Sequence, residues 1–320
     1  MRKDARHSIL DPMDLITLLI SNIIPLYILI ALGFIAGKWM DVNLSSMATM
    51  AIYILAPIVN FGAMAQMEFT PEYIILPVLG FCASAIIGIG SYWIAQKILK
   101  NNTANLIGMG SVTGNTMYFG LPVIMALLGP EWVGVYALLN LGTFLNEVGL
   151  GYFLGAQGKS SAKGALMKVI KLPVIHAIWL GLLFNFSGFT LPDVFTLYWN
   201  YAIGAWVILG MMIIGIALSN QPKLEIDIKL MVGLFTSKFI LWPSLGFTVI
   251  LSDIYYFQAF SEPIYQMLAI FTAVPLAGNL VAYAATLKLH PERMASAVLI
   301  STILGIFTVP LAVLALKLLS

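Results

Sequence analysis

The chain is poor in charged residues. Asp, Glu, Lys and Arg make up only 9% of its 320 residues, against about 25% in soluble domains. Its hydrophobic fraction is 60% and its mean hydropathy is +0.96. The roughly ten-residue alternating segments of a membrane β-barrel are also missing, so the apolar segments are expected to be helices. The sequence therefore predicts an all-α, polytopic membrane protein.

Further absences narrow the function. Cys82 is the single cysteine, so no internal disulfide can form. The net charge is +2 and no basic run with interleaved aromatic residues occurs, which argues against a nucleic-acid partner. No HExxH, serine-nucleophile or paired intramembrane aspartate motif is present, which argues against an intramembrane enzyme. We therefore expect no enzymatic activity, no cofactor and no metal site.

Charged or Pro/Gly-rich breaks divide the chain into ten apolar segments. They lie at about 15–38, 46–66, 72–97, 104–128, 132–155, 171–187, 194–219, 229–251, 263–287 and 294–317. The segments are arranged as a first five-helix repeat at 1–155, a linker at 156–170 and a second five-helix repeat at 171–320.

Lysine and arginine are missing from the loops after spans 2, 4, 6 and 8. The loops after the odd-numbered spans carry eleven of them. The positive-inside rule therefore places the basic loops and the linker in the cytoplasm and both termini outside, with the chain in a cytoplasmic (inner) membrane. Arg2, Lys3 and Arg6 at the amino terminus argue the other way, but they are outnumbered.

The two halves share short patterns in the same order. PLYILIALG (25–33) resembles PVIHAIWLG (173–181), and Gly114-Asn115 has a counterpart in Gly278-Asn279. Because five spans are an odd number, the second copy enters the membrane from the opposite side. Inverted repeats of this kind are typical of secondary transporters, whose sites lie near the bilayer midplane.

Spans 4 and 9 each contain Gly, Asn and Pro in mid-membrane, in SVTGNTMYFGLPV (111–123) and TAVPLAGNLVAY (272–283). Either stretch alone is typical of close helix packing. At repeat-related positions, the pair predicts two broken helices that face one cavity, because a broken backbone in lipid needs protein or water partners.

The expected site consists of neutral donors near half-helix N-termini, which favour anions. The candidate substrate-binding residues are Gly114, Asn115, Thr116, Gly278 and Asn279. No Asp or Glu occurs at 101–130 or 263–291, which argues against a bare cation as cargo and favours a carboxylate.

Three further residues have open roles. Glu147, deep in span 5, is either a proton-coupling or cavity residue or a hydrogen-bonded structural acid. Lys238 in span 8 is either a partner of Glu147 or, as we favour, a lysine that snorkels to the cytoplasmic interface while 222–237 lies partly along the surface. Asn60 either reaches the cavity or serves helix packing.

With these residues in place, the chain resembles the auxin efflux carrier family, which includes bacterial malate/malonate-type permeases and the plant PIN-FORMED carriers. The resemblance is carried by NTMYFGLP (115–122) and VPLAGNLVAYAATLKLHPE (274–292). It implies ten helices in an inverted repeat, related to the bile-acid and sodium–proton carrier fold, with spans 4 and 9 crossing. Spans 1, 2, 6 and 7 would form a scaffold, and spans 3–5 and 8–10 a transport domain that moves like an elevator.

Residue by residue, the resemblance gives Asn115 a contact with the substrate carboxylate and identifies Pro122 and Pro275 as crossover prolines. Asn279 departs from the plant pattern, in which a second proline lies close by, and is similar to bacterial members. The implied function is secondary transport of small organic anions of the malate/malonate or auxin-like type. An anion channel or a non-transporting sensor is the alternative. Expected partners are a small carboxylate and the lipid bilayer, with a coupled proton and a homodimer left open.

Overall fold

A computed structural model describes residues 12–156, 171–220 and 224–319, and all of its regular structure is helical. The predicted linker at 156–170 lies outside the described residues except for Ala156, as do Arg2, Lys3 and Arg6. Within the described ranges we number twelve helices: α1 Pro12–Trp39, α2 Leu44–Gln66, α3 Pro71–Leu99, α4 Asn102–Ser111, α5 116–128, α6 Pro130–Gly155, α7 Pro173–Phe186, α8 Asp193–Ser219, α9 Ile228–Phe257, α10 Glu262–Ala273, α11 Asn279–Thr286 and α12 Pro291–Leu319.

Seven stretches of the described chain are long and apolar enough to cross a membrane. They are α2, α3, the α4–α5 pair, α6, α8, α9 and α12, and shorter apolar helices lie at Ile23–Trp39 and Pro173–Phe186. Large apolar side chains such as Ile86, Leu183 and Phe307 point outward, as expected where lipid tails replace water. These features fit the all-α, polytopic membrane class. The ten-span count and the inverted repeat stay predictions.

Two stretches of non-helical backbone interrupt the bundle, at 112–115 between α4 and α5 and at 274–278 between α10 and α11. They touch directly, because the Asn115 N–H donates to the Pro275 carbonyl at 2.7 Å. Neighbouring helices satisfy other freed groups: the indole N–H of Trp242 donates to the Ser111 carbonyl at 2.8 Å, and the Leu276 N–H donates to Ser301 Oγ at 3.1 Å. Backbone groups that the breaks leave unpaired cannot form hydrogen bonds with lipid, so these bonds within the protein satisfy them instead.

The helices pack in two groups. In the first, α1 lies along α8, and α2 lies along α7 and α8. In the second, α3 lies along α6 and α4, and α12 packs on α10 and α11. Glycines permit the closest approaches: a Cβ on Gly215 of α8 would collide with the Ile30 carbonyl of α1, and one on Gly142 of α6 with the Pro77 carbonyl of α3. Small residues at such crossings let membrane helices gain van der Waals contact.

Five turns in the described helices are widened to π geometry: Ala51–Leu55, Thr116–Gly120, Glu147–Gly151, Ser237–Leu241 and Asp253–Phe257. The turns that begin at Thr116 and Glu147 both bring their first residue to the wall of one internal cavity, as the next section describes. Widened turns of this kind often mark functional sites.

Candidate functional site

A cavity of about 420 Å³ lies between the two helix groups, where the two breaks meet. Helices α2, α7 and α8 line one side, and α5, α6 and α11 line the other. Seven of the ten residues predicted for the site line it: Asn60, Gly114, Asn115, Thr116, Glu147, Gly278 and Asn279.

Asn115 lies at the N-terminus of α5, and both its backbone N–H and its carbonyl are hydrogen-bonded. Its N–H binds Pro275, and its carbonyl accepts from the N–H groups of Phe119 and Gly120 at 3.2 and 3.0 Å. Its side chain is buried, lines the cavity, and makes no hydrogen bond with the residues that the structure describes. The amide of Asn115 is therefore available to a ligand.

Thr116 follows directly and is already engaged. Its hydroxyl donates to Asn140 Oδ1 at 2.5 Å, and its carbonyl accepts from the hydroxyl of Tyr136 at 3.1 Å. Asn140 lines the cavity, and because its Oδ1 accepts the bond from Thr116, its NH₂ group is the part of the amide left to donate to a ligand. Thr116 thus orients Asn140, a donor that the sequence does not single out as a site residue.

Glu147 connects the two breaks. Its Oε2 accepts from the hydroxyl of Thr113 in the first break, at 2.8 Å. Its Oε1 accepts from the amide of Asn279 and, at 3.2 Å, from the hydroxyl of Tyr283, both on α11. The side chain is only 6% exposed, yet it lines the cavity. A change in the charge of this carboxyl is therefore felt at both broken helices.

Lys238 does not snorkel to the interface, and that prediction is wrong. Its side chain is 1% exposed, because α9 runs as one helix from Ile228 and places residue 238 about 15 Å along its axis. The ammonium lies 4.9 Å from the centre of the Trp242 ring, and a Cβ on Gly114 would collide with it. The other reading, an ion pair with Glu147, is not found either: in the described ranges Lys238 makes no ion pair or hydrogen bond.

Three other predicted residues are structural in this geometry. The carbonyl of Pro275 holds the Asn115 N–H, and Pro122 is buried inside α5; neither lines the cavity. The amide of Asn60 is at the cavity wall but donates to the carbonyl of Ala56 in its own helix at 2.8 Å.

Gly114 has a different role from the one that its sequence context suggests. Its backbone is not in the left-handed region, so conformational freedom is not the reason for a glycine. The reason is space, because the ammonium of Lys238 occupies the place of a side chain.

Apolar side chains form the far wall of the cavity. Trp206 of α8 belongs to this wall and stacks on Tyr118 of the opposite helix α5, at 5.0 Å between ring centres. The other apolar lining residues of this wall include Ile52, Tyr53, Leu172, Val174, Ile175 and Ile178. In the described part of the chain, no group of three His, Cys, Asp or Glu residues could hold a metal ion. The site is thus a cavity with amide donors and one carboxyl on one side and an apolar wall on the other.

The comparisons with known proteins cover part of the chain. Residues 18–157 match a family model described as "Membrane transport protein". An uncharacterized transporter of Methanocaldococcus jannaschii is 26% identical over 206 residues, which is 63% of this chain and 65% of that protein's length. The family match includes the first break, Asn115 and Glu147. Over these matched parts, the chain is therefore similar to membrane transport proteins.

Proposed function

We propose that this chain is a secondary transporter of small organic anions, specifically carboxylates, across a cytoplasmic membrane. The observation that carries the proposal is the unengaged amide of Asn115, which lies at a half-helix N-terminus in a cavity formed where two helices are broken. Half-helix N-termini favour anions. The match to membrane transport proteins supports a transporter rather than an enzyme.

The chemistry of the wall favours a monocarboxylate with a compact apolar body. Among the described residues that line the cavity there is no Lys, Arg or His, and Asn115 and Asn140 supply the free amide donors. A second carboxylate on the ligand would meet the apolar wall formed by residues such as Ile52, Leu172 and Ile178, and burying a charge there is costly. The cavity volume of about 420 Å³ suits one small molecule.

Glu147 couples the anion to a proton in this proposal. An ionised Glu147 repels a carboxylate in the same low-dielectric cavity, so the anion binds when Glu147 holds a proton. When the anion leaves, Glu147 releases its proton to the same side of the membrane. The hydrogen bonds of Glu147 to Thr113 and Asn279 supply the physical connection to both breaks.

The two helix groups are the two bodies of an elevator mechanism in this proposal. Helices α1, α2, α7 and α8 form the scaffold, and α3 to α6 with α9 to α12 form the transport domain of a five-plus-five inverted repeat. The cavity lies at their boundary, with Asn115 and Glu147 on the transport side. A sliding transport domain would therefore carry the bound anion past the scaffold, with the basic loops in the cytoplasm and both termini outside.

The test is uptake into proteoliposomes that contain the purified full chain. Radiolabelled phenylacetate, indole-3-acetate, malonate and malate are compared while gradients of pH, sodium and voltage are imposed separately. We expect saturable uptake of the monocarboxylates, driven by an alkaline interior and independent of sodium, after subtraction of protein-free vesicles. Uptake that does not saturate would instead identify a channel. The absence of any flux with all four acids would contradict the transport proposal.

A further inference from the structure

Lys238 is a buried lysine next to the proposed site, and no acidic partner for it occurs among the described residues. We infer that its ammonium is the fixed counter-charge of the transported anion. Together with Glu147 it keeps the transport domain electrically neutral both when the domain is empty and when it holds the anion and a proton. The inference rests on the proposed function, since it says how that transport is coupled.

The burial of Lys238 is the first step of the argument. The side chain is 1% exposed, and in the described chain the only favourable contact of its ammonium is with the face of the Trp242 ring, 4.9 Å away. A cation–π contact offsets part of the lost hydration. It does not neutralise the charge, and an unpaired buried charge is among the most destabilising features of a fold. An ionised Lys238 therefore needs a negative charge nearby, which no contact in the described chain supplies.

The second step is where the charge lies. The ammonium is against Gly114, and Gly114 lines the cavity beside the free amide of Asn115. One residue of backbone thus separates the ammonium from the place where the anion is proposed to bind. In a region of low dielectric constant an attraction over such a distance is strong. An anion on Asn115 supplies the partner that Lys238 lacks.

The third step is the charge of the whole site. The carboxyl of Glu147 accepts a hydrogen bond from Thr113, and the ammonium of Lys238 lies against the next residue, Gly114. The two charged groups thus contact adjacent residues of one break without pairing with each other. The other titratable groups on the described cavity wall are the phenols of Tyr53, Tyr118 and Tyr283. No charged residue occurs in α4, α5 or α11, and the Glu262 of α10 lies at its first residue.

Counting these charges gives two neutral forms. When the cavity is empty, ionised Glu147 balances Lys238. When the anion and one proton are bound, the anion balances Lys238 and Glu147 is uncharged. The anion without the proton, or the proton without the anion, leaves one uncompensated charge that must move through the membrane, which is costly. Lys238 therefore enforces one proton for each monocarboxylate anion.

The consequences for two variants differ. In Glu147→Gln the loaded form stays neutral but the empty form carries the charge of Lys238. We expect its exchange of internal for external phenylacetate to fall less than its net uptake into empty vesicles, which drops about tenfold or more below that of the parent. In Lys238→Met the loaded form carries the charge of the anion, so exchange falls by a similar factor. Lys229→Met changes an exposed lysine of the same helix and is expected to match the parent.

A binding measurement separates this role from a structural one. Titration of the detergent-solubilised protein compares phenylacetate with its uncharged amide, phenylacetamide. Lys238→Met is expected to lose affinity for the acid about tenfold while its affinity for the amide stays within about twofold of the parent. Equal weakening of both ligands would show that Lys238 only supports the fold, and would overturn the inference.

The exchange experiment remains decisive if Lys238→Met does not fold. Glu147→Gln retains Lys238, and exchange and net uptake that fall by the same factor in this variant would also overturn the inference. If the parent takes up none of the four acids of the panel, it is the proposed function that fails, not the charge balance.

Discussion

At the residue scale, the amide of Asn115 is the most direct candidate contact with the substrate, because no described residue competes for it. Replacing Asn115 by Ala removes one hydrogen bond to a charged group, which is worth about 1.5–3 kcal/mol. We expect the KM for phenylacetate uptake to rise about tenfold or more, with little change in kcat.

The matched control is Asn200→Ala, which removes an exposed amide in α8. Both variants should show the parent's thermal midpoint in detergent. Uptake kinetics of Asn115→Ala that coincide with those of Asn200→Ala would eliminate the proposed contact.

Glu147 is expected to set the pH dependence of transport. In the parent, exchange should rise as the pH falls, because a protonated Glu147 accepts the anion and an ionised one repels it. In Glu147→Gln the side chain is permanently neutral, so exchange should be independent of pH between about 5.5 and 8, the range over which carboxylic substrates stay ionised. Glu68→Gln, at an exposed position, is the control. A pH profile of Glu147→Gln that matches the parent's would exclude this carboxyl as the coupling group.

Gly114 and Gly278 form a natural pair of test sites. A Cβ on Gly114 would collide with the ammonium of Lys238, whereas a Cβ on Gly278 meets nothing within 4 Å. Since overpacking costs about 1–3 kcal/mol, Gly114→Ala should lower the thermal midpoint in detergent and displace Lys238, with loss of uptake. Gly278→Ala should keep the parent's midpoint. Equal midpoints for the two variants would refute the close approach of Lys238 to Gly114.

At the scale of helices, proline explains three of the widened turns. The turns Ala51–Leu55, Thr116–Gly120 and Ser237–Leu241 each end two residues before a proline, which is Pro57, Pro122 or Pro243. A proline ring clashes with the carbonyl four residues earlier and has no N–H to donate to it. The extra residue of a π turn relieves this conflict. The helix α5 thus begins at Thr116, six residues before Pro122, and widens to accommodate the proline.

The widened turn in α9 is expected to place Lys238. Replacing Pro243 by Ala allows a regular helix from Ile228 onward, which absorbs the extra residue and turns Lys238 by about 100° relative to Trp242. We expect the thermal midpoint to stay or rise, because a proline inside a helix costs about 3 kcal/mol, while uptake is lost. Pro291→Ala, at the first residue of α12, should change neither. Full uptake by Pro243→Ala would contradict a placement of Lys238 by this turn.

At the scale of the whole molecule, the all-helical membrane class follows from composition, and the two breaks follow from Gly, Asn and Pro in mid-span. Those local signals also located Asn115 and Asn279 at the cavity. Thr113, Asn140 and Tyr283 could not be found in this way, because their roles depend on which helices meet. The snorkelling prediction for Lys238 failed for the same reason. Lys238 is buried because α9 runs without a break past this position, and the charges of the nearby loops do not indicate that course.

Orientation in the membrane is a property of the whole chain and can be measured with single cysteines. The background is Cys82→Ala, which removes the one native thiol. Ser160→Cys lies in the predicted cytoplasmic linker, and Ser261→Cys lies between α9 and α10 on the predicted outer side. Because the linker carries Lys159, Lys163 and Lys168, the positive-inside rule predicts that a membrane-impermeant maleimide labels only Ser261→Cys in intact cells. After permeabilisation both should react. Labelling of Ser160→Cys in intact cells would reverse the predicted topology.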